Sequence, residues 1–201
     1  MDTYLTIQTN SEGTYKEKGS KFISYAYHVT NEKEIKDLLQ ILQRKYYDAR
    51  HICYAYVLDS DGTTYRINDN GEPSGTAGRP IWGVIRSHNL TYVLIVVVRY
   101  FGGIKLGTSG LINAYRKAAE DAVCNAIIKE NIVQAYYSCR FTFEQINTVL
   151  NLLKKMNAHI INQQFQVQCI LHFSVRKDNA KLLFDKLQKT ESIKIEFLYE
   201  K

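Results

Sequence analysis

Two short stretches concentrate the residues that could do chemistry. The first, NDNGEPSGTAGRP over residues 68–80, packs three glycines, two prolines, Asp69, Glu72 and Arg79 into thirteen positions. Glycine supplies positive φ and proline fixes φ, so such a loop follows a set backbone path. A long ordered loop in a compact domain is more often functional than not. It can also be a rigid connection that covers a sheet edge. The second, RYFGGIKLGTSGLINAY over residues 99–115, runs from a buried strand through a glycine-rich turn into a helix capped by Thr108 or Ser109. Free amides at a helix start, together with the helix dipole, favour an anion. Lys105 and Arg99 add positive charge, and the hydroxyls of Thr108 and Ser109 can donate to phosphate oxygens. Neither GxxxxGK[ST] nor GxGxxG is present, so this is no standard nucleotide loop. Packing alone also explains it: Gly107 and Gly110 let the helix approach the sheet, and Ser109 serves as N-cap.

The candidate phosphate- or partner-binding set is therefore Asp69, Glu72, Arg79, Arg99, Lys105, Gly107, Thr108 and Ser109. If both stretches lie at one end of a sheet, Glu72, Arg79, Lys105 and Ser109 share a cleft. Catalytic groupings are weaker. His51 is a possible general base oriented by Asp48 or Asp69, although a histidine near a strand start is more often structural. Ser74 and Ser109 sit beside glycines but have no assigned base and no GxSxG elbow. Cys53, two residues from His51, reads as a buried thiol. Asp48, His51, Asp69 and Glu72 have no spacing that fixes a metal. No catalytic residue, metal or cofactor is expected.

The elements that must hold these residues follow from periodicity. Residues 4–9 and 21–29 read as strands joined by a polar turn with Gly13 and Gly19. Asn31 and Glu34 form a capping-box start for a helix to about Tyr46, with Ile35, Leu38, Leu39 and Leu42 on one face. Residues 52–58 and 64–67 are strands about an Asp61-Gly62 turn. Pro80 suits the first turn of a helix ending near His88. Residues 91–100 are a buried central strand, and a helix runs from about Ser109 to Ile127. All eleven glycines lie between Gly13 and Gly110, and both prolines lie in the 68–80 loop. The composition break near Asn131 divides the chain into domains 1–131 and 132–201. The second reads strand 132–142, a helix with Ile146, Val149, Leu150, Leu153 and Met156, a hairpin over 158–175, helix 178–189 and strand 192–199. That order is β-α-β-β-α-β, the ferredoxin-like arrangement. Its open sheet face, near Phe165, Phe173, Phe197 and Tyr199, is a minor candidate for RNA stacking.

With 201 residues, the chain is long enough to bury a core without staples. Its four cysteines form no CxxC and no zinc spacing, which fits reduced thiols in the cytoplasm. No signal peptide and no membrane span is expected. A net charge of +6 permits a nucleic-acid or ribosomal partner.

Three blocks then carry a resemblance. HICYAY at 51–56, DNGEPSGTAG at 69–78 with Pro80-Ile81, and VVRYFGGIKLG at 97–107 with Gly110-Leu111 and Ala114-Tyr115 resemble the signature of the IMPACT/YigZ family. The resemblance implies an α+β protein with two domains. The first is an α/β domain similar to domain IV of elongation factor G, and the second is a ferredoxin-like domain. It also implies a link to translation, since eukaryotic relatives regulate it through a ribosome-associated activator. Their partner-binding region precedes the matched blocks and is not expected here. The function expected is that of a non-enzymatic binding protein contacting RNA, the ribosome or a translation factor through its glycine-rich surface. The alternative is an enzyme or sensor for a phosphorylated small molecule or nucleotide at the 102–110 loop. A third reading is a scaffold whose two domains only hold a partner.

Overall fold

The computed structural model describes residues 2–201, which form two compact units: Tyr4–Asn131, and Ile132–Lys201 together with Asp2 and Thr3. The first unit is built on a five-stranded antiparallel sheet. Its strands are β2 (Ser11–Glu17), β3 (Ser20–His28), β4 (His51–Val57), β5 (Tyr65–Asn68) and β6 (Val93–Tyr100), in the order β2-β3-β6-β4-β5. A short strand β1 (Thr3–Ile7) pairs separately with β7 (Ile128–Ile132).

The central strand β6 is apolar on both faces because both are covered. Val93, Ile95 and Val97 join the core under α2 (Gly78–Ser87) and α3 (Gly107–Cys124). Leu94, Val96 and Val98 pack with Ile35 and Leu42 of α1 (Glu32–Lys45) on the other face. Asn31 caps α1 as expected, its Oδ1 accepting from the Glu34 amide at 3.0 Å, but the return bond of a capping box goes to the residue before the cap. The Glu34 carboxylate turns back to the Thr30 amide at 2.7 Å.

Two expectations change. Residues 11–17 are a strand and not a turn. Gly13 sits in that strand because α3 crosses it closely, and a Cβ there would lie 2.4 Å from the Ala122 amide nitrogen. The actual turn is Lys18-Gly19, both at positive φ, which closes the β2–β3 hairpin. Helix α3 starts two residues earlier than the sequence suggests, at Gly107. Leu106 is its N-cap, so Thr108 and Ser109 lie inside the first turn and do not cap it.

The second unit contains β8 (Gln134–Thr142), α4 (Ile146–Lys155), β9 (His159–Gln164), β10 (Gln168–Arg176), α5 (Lys177–Gln188) and β11 (Lys194–Glu200). The antiparallel order β11-β8-β10-β9 is that of a ferredoxin-like fold. Of the aromatics considered for stacking, Phe173 is core, whereas Phe165, Phe197 and Tyr199 are exposed. Asp2 belongs to this unit. Its carbonyl accepts from the Val133 amide. Its carboxylate binds Arg176 Nε and the Asp178 amide, doing for α5 what an N-cap side chain would do. Burial would push the Asp2 carboxyl up, but Arg176 and the Asp178 amide hold it below the usual carboxylate range. No helix among the described residues is long and apolar enough to cross a membrane.

Candidate functional site

Antiparallel pairing puts the end of β6 beside the start of β4, the start of β3 and the end of β5. The two informative stretches, 68–78 and 101–107, therefore leave the sheet at the same end. At that end Arg99 continues the series Val93, Ile95, Val97 and so points under α3. Its cross-strand neighbours are His51 on β4 and Phe22 on β3. Charge in an apolar position has to be paired, and Glu72 from the 68–78 loop pairs with it. Arg99 Nη1 is 2.6 Å from Glu72 Oε1, with the two residues 6% and 9% exposed. The Tyr115 hydroxyl of α3 donates to the same oxygen at 2.8 Å. The guanidinium lies over the rings of Phe22 and Phe101, 5.6 and 5.7 Å from their centroids.

The loop is pinned along its length. Asp69 Oδ1 accepts from the amides of Ala77 and Gly78, at 3.0 and 2.8 Å, and Oδ2 from the amide of Gly75 at 2.8 Å. Cys53 Sγ lies 3.0 Å from the Asp69 carbonyl and 3.4 Å from the Tyr115 hydroxyl. His51 Nδ1 lies 3.0 Å from the Asn70 carbonyl. A carbonyl only accepts, so the proton sits on Nδ1.

The groups that resembled a catalytic set are thus engaged differently. Neither Asp48 nor Asp69 orients His51. Asp48 accepts from the Tyr100 hydroxyl at 2.7 Å, pushing that phenol up to about 12, while Asp69 faces amides. Burial pushes the Cys53 thiol up to about 12, which leaves it protonated and poorly nucleophilic. No group of His, Cys, Asp or Glu among the described residues is placed to hold a metal ion. Of the four cysteines only Cys124 is exposed. In a thiol-reagent titration at pH 8, one cysteine reacts promptly in the native protein and all four react in denaturant. Rapid native labelling of Cys53 would contradict its sealed position.

Arg79, Lys105, Gly107, Thr108 and Ser109 are exposed. They stand at two helix starts on this end of the sheet, and the starts differ. The Ala77 and Gly78 amides of α2 are filled by the Asp69 carboxylate. At α3, Leu106 offers no capping side chain and the first turn holds no acidic residue. Asp69, Glu72 and Arg99 are therefore brought together as internal architecture. Tyr115 and Phe22, which complete that cluster, are not evident from sequence. Their signal is Arg99 itself, a charge in phase with a buried apolar series.

The family model of the Impact N-terminal domain matches residues 18–123, more than half of the chain. The Escherichia coli protein "IMPACT family member YigZ" is 30% identical over 160 residues, covering 79% of this chain and 78% of that one. The Bacillus subtilis "IMPACT family member YvyE" is 37% identical over 123 residues, which span 61% of this chain and 57% of that protein. A solved structure described as a hypothetical protein superposes with a TM-score of 0.74 at 26% identity, covering 99% and 98% of the two chains. By the family model and by these relatives, the chain belongs to the IMPACT family.

Proposed function

We propose that the protein is a non-enzymatic, cytoplasmic binding protein associated with translation. It contacts RNA, the ribosome or a translation factor through the end of the first unit's sheet. The observation that carries this reading is the contrast between the two helix starts. The α2 start is satisfied internally by Asp69, while the α3 start keeps its amides beside Lys105, Thr108 and Ser109. Helix-start amides, a lysine and two hydroxyls suit a phosphate group. In this reading Asp69, Glu72 and Arg99 position the surface, and Arg79, Lys105, Gly107, Thr108 and Ser109 meet the partner. The protonated thiol and the paired carboxylates around it supply no activated nucleophile, which favours binding over catalysis. Membership of the IMPACT family supports the translational setting.

Co-sedimentation with ribosomes at low and high salt tests it. Binding should weaken steeply with salt, because phosphate contacts release counterions. Lys105→Ala and Arg79→Ala should each weaken it further. Binding that ignores both salt and these substitutions would rule the surface out. A nucleotide-dependent rise in melting temperature that Lys105→Ala removes would instead favour the enzyme or sensor reading.

A further inference from the structure

The same end of the sheet carries more charge than the two glycine-rich stretches supply. Lys18 stands in the tip of the β2–β3 hairpin and Lys21 just beyond it, and Gly102 packs directly on Gly19 of that tip. Arg44 and Arg50 flank the turn from α1 into β4, which the Tyr100–Asp48 hydrogen bond draws against the end of β6. With Arg79 and Lys105 these make six exposed cations, none ion-paired among the described residues. The acids beside them are already engaged: Glu17 by the Tyr15 hydroxyl and Asp48 by Tyr100. The opposite end of the sheet is the reverse, with Glu12, Glu32, Asp59, Asp61 and Asp121 interrupted by Lys33, Arg66 and Arg86.

Two rings stand among the cations. Tyr47 is 86% exposed in the α1–β4 turn, and Phe101 is 54% exposed after β6. They are neighbours in sequence of the bonded pair Asp48 and Tyr100, so that bond draws their backbones to the same place. Phe101 is backed on one side by the Arg99 guanidinium. A polyanion alone needs no exposed rings, and the carboxylates of an acidic peptide make no use of them. Unpaired bases have both a phosphate chain and a π face.

We propose that this end of the sheet binds single-stranded RNA. Lys18, Lys21, Arg44, Arg50, Arg79 and Lys105 track the phosphates, and Tyr47 and Phe101 stack on bases. The assignment rests on the translational reading above and names the partner of that surface.

Fluorescence anisotropy on the full chain tests it, with a labelled twelve-nucleotide uridine-rich RNA, the same strand annealed to its complement, and polyglutamate. The single strand should bind at least about tenfold tighter than the duplex or polyglutamate at 50 mM salt. The double change Lys18→Glu/Lys21→Glu should weaken binding by at least about tenfold and flatten the salt dependence. Tyr47→Ala and Phe101→Ala should each weaken it about 5- to 150-fold and leave the salt slope unchanged. The rings are exposed, so these variants should fold, which thermal melting checks. Equal affinity for single strand and duplex, ring variants that bind like the parent, or no binding at 50 mM salt would each overturn the proposal. Ribosome co-sedimentation separates the two levels. If RNA binding is absent yet sedimentation still depends on Lys105, the RNA assignment fails and the translational reading stands. If both are absent, both fail.

Discussion

Glu72→Ala should lower the unfolding free energy in urea by about 3–5 kcal/mol, because it leaves the Arg99 guanidinium buried without its carboxylate. The loss exceeds that of one hydrogen bond. Arg99 Nε has no hydrogen-bond partner among the described residues, so the pair with Glu72 is the main satisfaction this guanidinium has. Tyr115 loses its acceptor at the same time. The double variant Glu72→Leu/Arg99→Met should recover most of the loss, since a buried ion pair can often be replaced by apolar residues of similar volume without cost. The difference between single and double variants measures the coupling. A loss below about 1 kcal/mol for Glu72→Ala would mean that the pair does not hold the loop to the sheet. Arg99→Lys should not substitute well. A lysine keeps the charge but gives up the flat contact with the rings of Phe22 and Phe101.

The second large effect is expected at Gly102. A Cβ there would lie 1.8 Å from the carbonyl carbon of Gly19 and 2.1 Å from the Ser20 nitrogen, both backbone atoms of the β2–β3 hairpin. Neither can swing aside as a side chain would. Gly102→Ala should therefore cost at least about 3 kcal/mol, at or above the upper range for overpacking. It should also displace the hairpin from the 101–106 loop, which amide exchange at Gly102, whose N–H bonds Ser20 Oγ at 3.2 Å, would report. Gly83→Ala is the matched control. It lies in α2 with nothing within 4 Å of its Cβ, and alanine there should raise stability by about 0.4–1 kcal/mol. Similar melting temperatures for the Gly102 and Gly83 variants would refute the close approach.

The parts of the fold legible in the sequence are those whose signal is local. Val93–Val98 announces a strand covered on both faces, and Asn31 with Glu34 announces the start of α1. In the second unit, alternating strands and spaced leucines give the β-α-β-β-α-β order with boundaries close to those found. What could not be read depends on contacts far along the chain. Ser11–Glu17 is too polar and too glycine-containing to look like a strand. It becomes one because α3, more than a hundred residues later, lies against Gly13. Thr108 and Ser109 have the composition of caps, yet they lie in the first turn of α3, which the chain enters through Gly107 at positive φ. The site was half legible. Glu72 and Arg99 stand out by type and place, but their separation of 27 residues hides that they answer each other. The cations at Lys18, Lys21, Arg44 and Arg50 look like ordinary surface until the sheet topology gathers them.

Asp2 raises a question of timing. Its carboxylate partners, Arg176 and Asp178, lie 174 and 176 residues further along the chain. At synthesis rates of about 5–20 residues per second, roughly 9 to 35 seconds separate the making of residue 2 from the making of its partners. The sheet of the first unit has all its strands by Tyr100 and can fold during that interval, while the Asp2 carboxylate waits for its partners. A unit made late is then closed by a residue made much earlier. Its α5 gains a helix-start carboxylate only once the intervening residues have been made.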